Sequence, residues 1–189
     1  SGGTGGCPCR AGDPDRIENL ILLSPGSLEG RERTSSGRGE VPDAAYVLKY
    51  IMPRALPRFL LKSGFGDDSK LSEELVDRWY DMWMREGQRE AQLDRLRQYK
   101  SGDIEDIIRA LQPRTLLMWG EANTTADFSQ SDEFRELLEN VESLTFISYP
   151  GVGHMAVQEA GAETGRDVRA FLDAGRAAAE SEPEATAAP

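Results

Sequence analysis

The chain has 189 residues, of which 39% are apolar and 29% are charged, and its net charge is −11. This length and composition are typical of a globular protein with a sizeable core, and they exclude a largely disordered chain. The acidic balance argues against nucleic acid and membrane surfaces as partners, because both are bound through basic faces.

The amino-terminal residues 1–15 are rich in Gly, Pro and Cys and show no helical period. They lack the basic and apolar regions of a signal peptide, so we expect a cytoplasmic protein. Cys7 and Cys9 are too close in sequence for a relaxed disulfide. Two thiols and one distant histidine also make a poor metal site. We therefore expect free thiols, no metal and no cofactor.

The first strand is predicted within residues 16–23, an apolar run that ends at the turn sequence Ser24-Pro25-Gly26. A polar loop rich in Gly, Ser and Arg follows and extends to Val41. The chain therefore begins with a buried strand that is separated from the next elements by a long loop.

A helical pattern covers residues 42–111. Pro53 and Pro57 are expected to break or kink its first part, because proline removes a helix hydrogen bond. Ser72 is predicted as the N-cap of a second helix, and Gly87 is placed to end that helix. Two further helices are predicted at Glu90–Tyr99 and from Asp103 to Leu111.

The helix that Ser72 is predicted to cap has a pronounced apolar face. Its members are Leu75, Trp79, Met82 and Trp83. Their helical spacing favours packing between helices over contact with a substrate.

The segment 114–154 reads as a βαβ unit. The runs Arg114–Gly120 and Leu144–Tyr149 have strand length and strand composition, and residues 129–140 between them have a helical period. Parallel strands present their functional groups at their carboxyl ends. We therefore expect the loop after Gly120 and the only histidine, His154, to lie close together on one edge of the sheet.

This segment resembles the last third of an α/β-hydrolase. In that superfamily the penultimate strand runs into Trp-Gly-Glu-x-Asp, whose aspartate is the acid of the catalytic triad, and the last strand runs into Gly-x-Gly-His, which carries the catalytic base. The matching runs here are Trp119-Gly120-Glu121-Ala122-Asn123 and Gly151-Val152-Gly153-His154. The second motif fits completely, whereas the first has asparagine in place of the acid.

The resemblance implies an α/β fold, namely a partial α/β-hydrolase fold with about three parallel core strands and an inserted all-helical cap. Residues 1–30 would be the core strand region that follows the nucleophile elbow, and residues 31–111 the cap. Residues 112–173 would form the carboxyl-terminal βαβ core, closed by a helix over Glu163–Leu172, and residues 174–189 a disordered tail rich in Ala, Glu and Pro.

The family's nucleophile lies in a Gly-x-Ser-x-Gly elbow, and the helix after the elbow ends near a Pro-Glu-Arg-Val-like stretch. Pro14-Asp15-Arg16-Ile17 resembles that ending, and counting back from it places the nucleophile at Ser1 or just before it. Gly5, Gly6 and Pro8 conflict with the helix that this alignment requires. A glycine-rich terminus without an elbow is therefore the alternative to Ser1 as the nucleophile.

The resemblance makes His154 the catalytic base and Asn123 its orienting partner. Asparagine can orient an imidazole but carries no charge, and it can select the wrong tautomer. Asp127 or Glu121 would replace the missing acid if the loop bends suitably, although solvated loop charges are the alternative interpretation of both. The candidate catalytic residues are thus His154, Asn123 and Ser1.

The resemblance implies hydrolysis of an ester, amide or related carbonyl bond of a small molecule through a serine acyl-enzyme. The alternative is an inactive remnant or binding module that lacks nucleophile, acid and oxyanion hole. Haloalkane dehalogenases and epoxide hydrolases share the fold but need an aspartate nucleophile, which the chain start lacks. A helical interaction protein would not explain the βαβ unit. An incomplete sheet also predicts self-association through its uncovered edge.

Overall fold

The computed structural model describes residues 17–26, 47–98 and 104–181. Three strands form one parallel sheet in the order β1-β2-β3: β1 (Asn19–Leu23), β2 (Arg114–Gly120) and β3 (Leu144–Tyr149). The helices are α1 (Ala55–Gly64), α2 (Glu73–Met84), α3 (Gln88–Gln98), α4 (Glu105–Arg109), α5 (Gln130–Leu137), α6 (Ala156–Glu159) and α7 (Gly161–Ser181). The predicted α/β class with three parallel strands is confirmed. Ser1, Cys7, Cys9 and Asp103 lie outside the described residues.

The central strand β2 is buried on both faces because its side chains alternate between two helical layers. Leu116 and Met118 pack with α6 and α7 on one face. Leu117 and Trp119 pack with α4 and α5 on the other face. All four side chains have an exposed fraction of 0%. The sheet is therefore the middle of three layers.

The helix α4 packs against one face of the sheet. Its Ile108 is buried in the cluster that contains Leu117 and Trp119. The sequence predicted residues 31–111 as the helical cap, and α4 within that range packs on the sheet. An isolated helical period does not distinguish a helix that covers the sheet from a helix inserted above it.

The helices α1 and α2 form a separate small core. It consists of Leu61, Phe65, Leu71 and Val76, with Leu75, Trp79 and Met155 packed against it. Ser72 caps α2 as predicted, since its hydroxyl accepts a hydrogen bond from the Leu75 amide at 3.2 Å. Pro53 precedes α1, whereas Pro57 lies in the first turn of α1, where proline is tolerated.

The last helix is longer than predicted. α7 continues through residues 174–181, which the sequence assigned to the disordered tail. These residues are mainly alanine, arginine and glutamate, which are among the best helix formers. An existing helix is extended at little cost, because only its first turn is costly to form.

Candidate active site

Two loops at the carboxyl edge of the sheet carry the candidate catalytic side chains. Asn123 follows β2, and His154 follows β3, the neighbouring parallel strand. The Asn123 side-chain nitrogen Nδ2 lies 3.2 Å from His154 Nδ1. The structure therefore brings together two of the three residues that the sequence singled out, and the third, Ser1, is outside the described residues.

Three glycines allow these loops to approach each other. A Cβ on Gly153 would lie 2.5 Å from the Gly64 oxygen and 2.6 Å from the Phe65 carbonyl carbon. A Cβ on Gly120 would overlap the Gly153 and Val152 carbonyl oxygens. A Cβ on Gly66 would overlap the Gly151 oxygen in the same way. We call Gly66, Gly120 and Gly153 the glycine junction, and it places the end of α1 beside both site loops.

The Asn123 side chain is held in one orientation. Its Oδ1 accepts hydrogen bonds from the backbone amides of Thr125 at 2.9 Å and Ala126 at 3.0 Å. The residue is 3% exposed, so water does not replace these partners. Asn123 therefore closes its own loop through Oδ1 and directs Nδ2 at His154.

The comparisons with known proteins concern the fold. No protein-family model and no curated protein matches the chain. Among solved structures, a meta-cleavage product hydrolase from Pseudomonas fluorescens IP01 matches with a TM-score of 0.62 at 19% identity, over 85% of this chain and 57% of that one. An esterase from Thermogutta terrifontis gives 0.61 at 18% identity, over 88% and 59%. A membrane phospholipase A gives 0.62 at 23% identity, over 88% and 52%.

The chain has a partial α/β-hydrolase fold. It spans slightly more than half the length of these hydrolase structures. In the ranges 17–26, 47–98 and 104–181, no three side chains form a metal-binding cluster. The helices in those ranges are too short or too polar to cross a bilayer.

The two carboxylates considered as substitutes for the acid are engaged elsewhere in this hydrolase fold. Asp127 accepts hydrogen bonds from the Ser129 amide and hydroxyl at 2.9 and 2.6 Å, and these lower the pKa of its carboxyl. Glu121 accepts a hydrogen bond from the Ser148 hydroxyl at 2.8 Å. Neither carboxylate hydrogen-bonds to His154 in the described part of the chain. Asn123 is the partner of the imidazole.

A third carboxylate at the site, Glu159, was not identified from the sequence. It is 7% exposed and accepts hydrogen bonds from the backbone amides of Gly66, Asp67 and Gly153, at 3.0, 2.8 and 2.8 Å. Two of these donors follow α1 and the third precedes His154. Glu159 therefore ties the end of α1 to the histidine loop. The sequence signal was weak, because a single Glu in a short helix is usually solvated.

Replacing Glu159 with Ala is expected to lower the free energy of unfolding by about 3 kcal/mol, because the buried Gly153 amide and the part-buried Gly66 and Asp67 amides lose their acceptor. Urea denaturation measures the change. Glu180→Ala is the matched control, since Glu180 is exposed near the end of α7 and its loss should change stability by less than about 0.5 kcal/mol. Equal midpoints for the two variants would contradict this role for Glu159.

Because the chain has a single histidine, the effect of histidine protonation on its stability can be assigned to His154. Burial lowers the pKa of the His154 imidazole from its ordinary value of 6.5, so the folded chain binds this proton less readily than the unfolded chain. The contribution to stability is therefore full above pH about 6.5 and is lost as the pH falls toward the folded-state pKa. Urea titrations across this window should show wild type losing more stability than His154→Gln. Equal losses of stability in wild type and His154→Gln as the pH falls would contradict the prediction.

Proposed function

We propose that this chain is the histidine-bearing part of a serine hydrolase that cleaves an ester, amide or related carbonyl bond of a small-molecule substrate. The observation that carries the proposal is the pairing of His154 with Asn123 at the ends of two neighbouring parallel strands. The solved structures with this fold include serine hydrolases and esterases, which supports the same reaction class. The hydrolytic activity of the whole protein is proposed on the same grounds.

In this proposal a serine hydroxyl attacks the substrate carbonyl, and His154 accepts the hydroxyl proton at Nε2 when the ring is in the tautomer that leaves this nitrogen unprotonated. The protonated ring then delivers that proton to the leaving group, which departs and leaves an acyl-serine. Water attacks the acyl-serine and His154 accepts a proton from the water. The bond between the acyl carbon and the serine oxygen then breaks, His154 returns the proton to the serine oxygen, and the acid leaves. We propose Ser1 as the nucleophile.

We propose that the cap predicted for residues 31–111 lies over this site, with its described helical segment 47–98 beside His154. Met155, directly after His154, packs against the small core of α1 and α2, and its amide donates to the Gly64 oxygen at 3.0 Å. Gly66, in the same segment, shares the carboxylate of Glu159 with the histidine loop. These contacts support a position for the segment beside His154.

The test is hydrolysis of p-nitrophenyl esters of graded acyl length, together with labelling by a fluorophosphonate probe that reacts with activated serines. His154→Gln is expected to lower the hydrolysis rate by at least about 10²-fold, the usual contribution of a general base. Ser1→Ala should abolish labelling, and the exposed Glu180→Gln should change neither readout. Hydrolysis that is unaffected by His154→Gln would refute the proposal. Absence of both hydrolysis and labelling would favour a binding module instead.

We also propose self-association through β1. Among the described residues, β1 pairs only with β2, so its other edge lacks a partner strand. Ile21 on this strand is 38% exposed, and the three leucines of the strand are half-buried. Such an edge is a template for pairing with another chain.

Sedimentation velocity over about a 100-fold range of concentration tests this association. The wild-type sedimentation coefficient is expected to rise with concentration, because pairing at the β1 edge is bimolecular. Ile21→Lys should weaken that rise, whereas Val157→Lys, at an exposed site on α6, should not. A wild-type monomer throughout the range would contradict this proposal.

A further inference from the structure

We infer that Asn123 holds the neutral ring of His154 in the tautomer that carries its proton on Nε2, so that the resting imidazole presents a hydrogen-bond donor and not a base to the site. Asn123 acts here as a positioning residue through His154. The inference concerns the site of the proposed function, but it stands on hydrogen-bond geometry and does not require hydrolysis.

The first step is the orientation of the Asn123 amide. An amide side chain has one acceptor atom and one donor group, and the two are assigned from their surroundings. At Asn123 the atom that faces the Thr125 and Ala126 amides must be the oxygen, because both of those groups donate. A flipped amide would place NH₂ against two N–H donors, and the buried Asn123 side chain would lose both hydrogen bonds. The NH₂ group therefore faces His154.

The second step is the protonation of the ring. Asn123 Nδ2 has hydrogens but no acceptor capacity, and it lies 3.2 Å from His154 Nδ1. Nδ1 must therefore offer a lone pair. A neutral imidazole has one N–H, which is then on Nε2. In a serine hydrolase triad the assignment is the reverse, because the acid accepts from Nδ1–H and leaves the Nε2 lone pair for the serine proton.

The third step is the contrast with aspartate at the same position. A carboxylate would keep one oxygen on the Thr125 and Ala126 amides and would offer its second oxygen to Nδ1. Both oxygens accept, so the ring would place its proton on Nδ1. One atom of the side chain thus decides whether Nε2 donates or accepts.

The experiment is two-bond ¹H–¹⁵N correlation on the full chain labelled with ¹⁵N-histidine, about two pH units above the ordinary histidine pKa so that the ring is neutral. The single histidine yields one set of ring signals. Wild type is expected to show a protonated Nε2 and an unprotonated Nδ1. Asn123→Asp is expected to show the reverse, and Asn123→Ala intermediate shifts from exchanging tautomers. Near-UV circular dichroism checks that each variant remains folded.

A protonated Nδ1 in wild type would overturn the inference, and so would wild-type shifts equal to those of Asn123→Ala. If the Ala variant unfolds, the wild type and Asn123→Asp decide the question between them. The predicted tautomer in a chain without esterase activity would leave the inference in place and remove the proposed function. Esterase activity in a chain with a protonated Nδ1 would overturn the inference and support the proposed function.

Discussion

Replacing Asn123 with Asp is expected to raise the rate constant for ester hydrolysis by about 10³- to 10⁴-fold, if the proposed serine chemistry operates. In a serine protease the opposite exchange lowers turnover by about 10⁴, because the histidine takes the wrong tautomer. Here the carboxylate would fit without rebuilding the loop, since the Thr125 and Ala126 amides already bind the oxygen of this side chain. It would also stabilise the imidazolium that forms as the serine proton is transferred.

The measurement is kcat/KM for one p-nitrophenyl ester at pH about 8, where the neutral ring predominates. Gln158→Glu is the control, because it adds the same charge to the exposed face of α6 without an atom at His154 Nδ1. Its rate should stay within a few fold of wild type. An Asn123→Asp variant with a protonated Nδ1 but an unchanged rate would show that the acid is not what limits hydrolysis.

Replacing Gly153 with Ala is expected to lower the free energy of unfolding by about 3 kcal/mol and to separate the histidine loop from α1. The added methyl would lie 2.5 Å from the Gly64 oxygen and 2.6 Å from the Phe65 carbonyl carbon. These are backbone atoms, so no side-chain rotation relieves the overlap, and the cost lies at the upper end of that for overpacking. The Glu159 bond to the Gly153 amide would be disturbed as well.

Urea denaturation and the His154 ring signals together measure this effect. Gly165→Ala is the control, since nothing lies within 4 Å of a Cβ at this position in α7. That variant is expected to gain up to about 1 kcal/mol, because alanine is the better helix former. A Gly153→Ala protein with wild-type stability and unchanged ring signals would show that the loops are free to move apart.

The sheet could be predicted from the sequence because its strands are delimited by local signals. β2 and β3 begin and end at the predicted residues, since β-prone runs stop at Gly120 and at Pro150-Gly151. The proximity of Asn123 and His154 followed from the rule that neighbouring parallel strands end at the same edge. Local pattern and sheet topology were sufficient for these features.

The rest of the site depends on contacts that no local pattern reveals. The Glu159 carboxylate bonds to amides 92 and 93 residues away in the chain. The backbone hydrogen bonds that fix the Asn123 amide depend on the path of a loop with no regular period. The glycine junction likewise joins residues from three separate segments. Such contacts arise from tertiary packing, which the sequence pattern does not encode.

The glycine junction couples the end of α1 to the position of the imidazole. Oε2 of Glu159 accepts hydrogen bonds from two backbone amides, that of Gly66 just beyond α1 and that of Gly153 next to His154. A change in residues 64–67 would therefore also shift the imidazole. The exposed faces of α2 and α3 are free of this link in the described part of the chain. If the proposed cap and the proposed hydrolysis operate, mutations that alter substrate selectivity and leave the histidine in place are expected on those two helices.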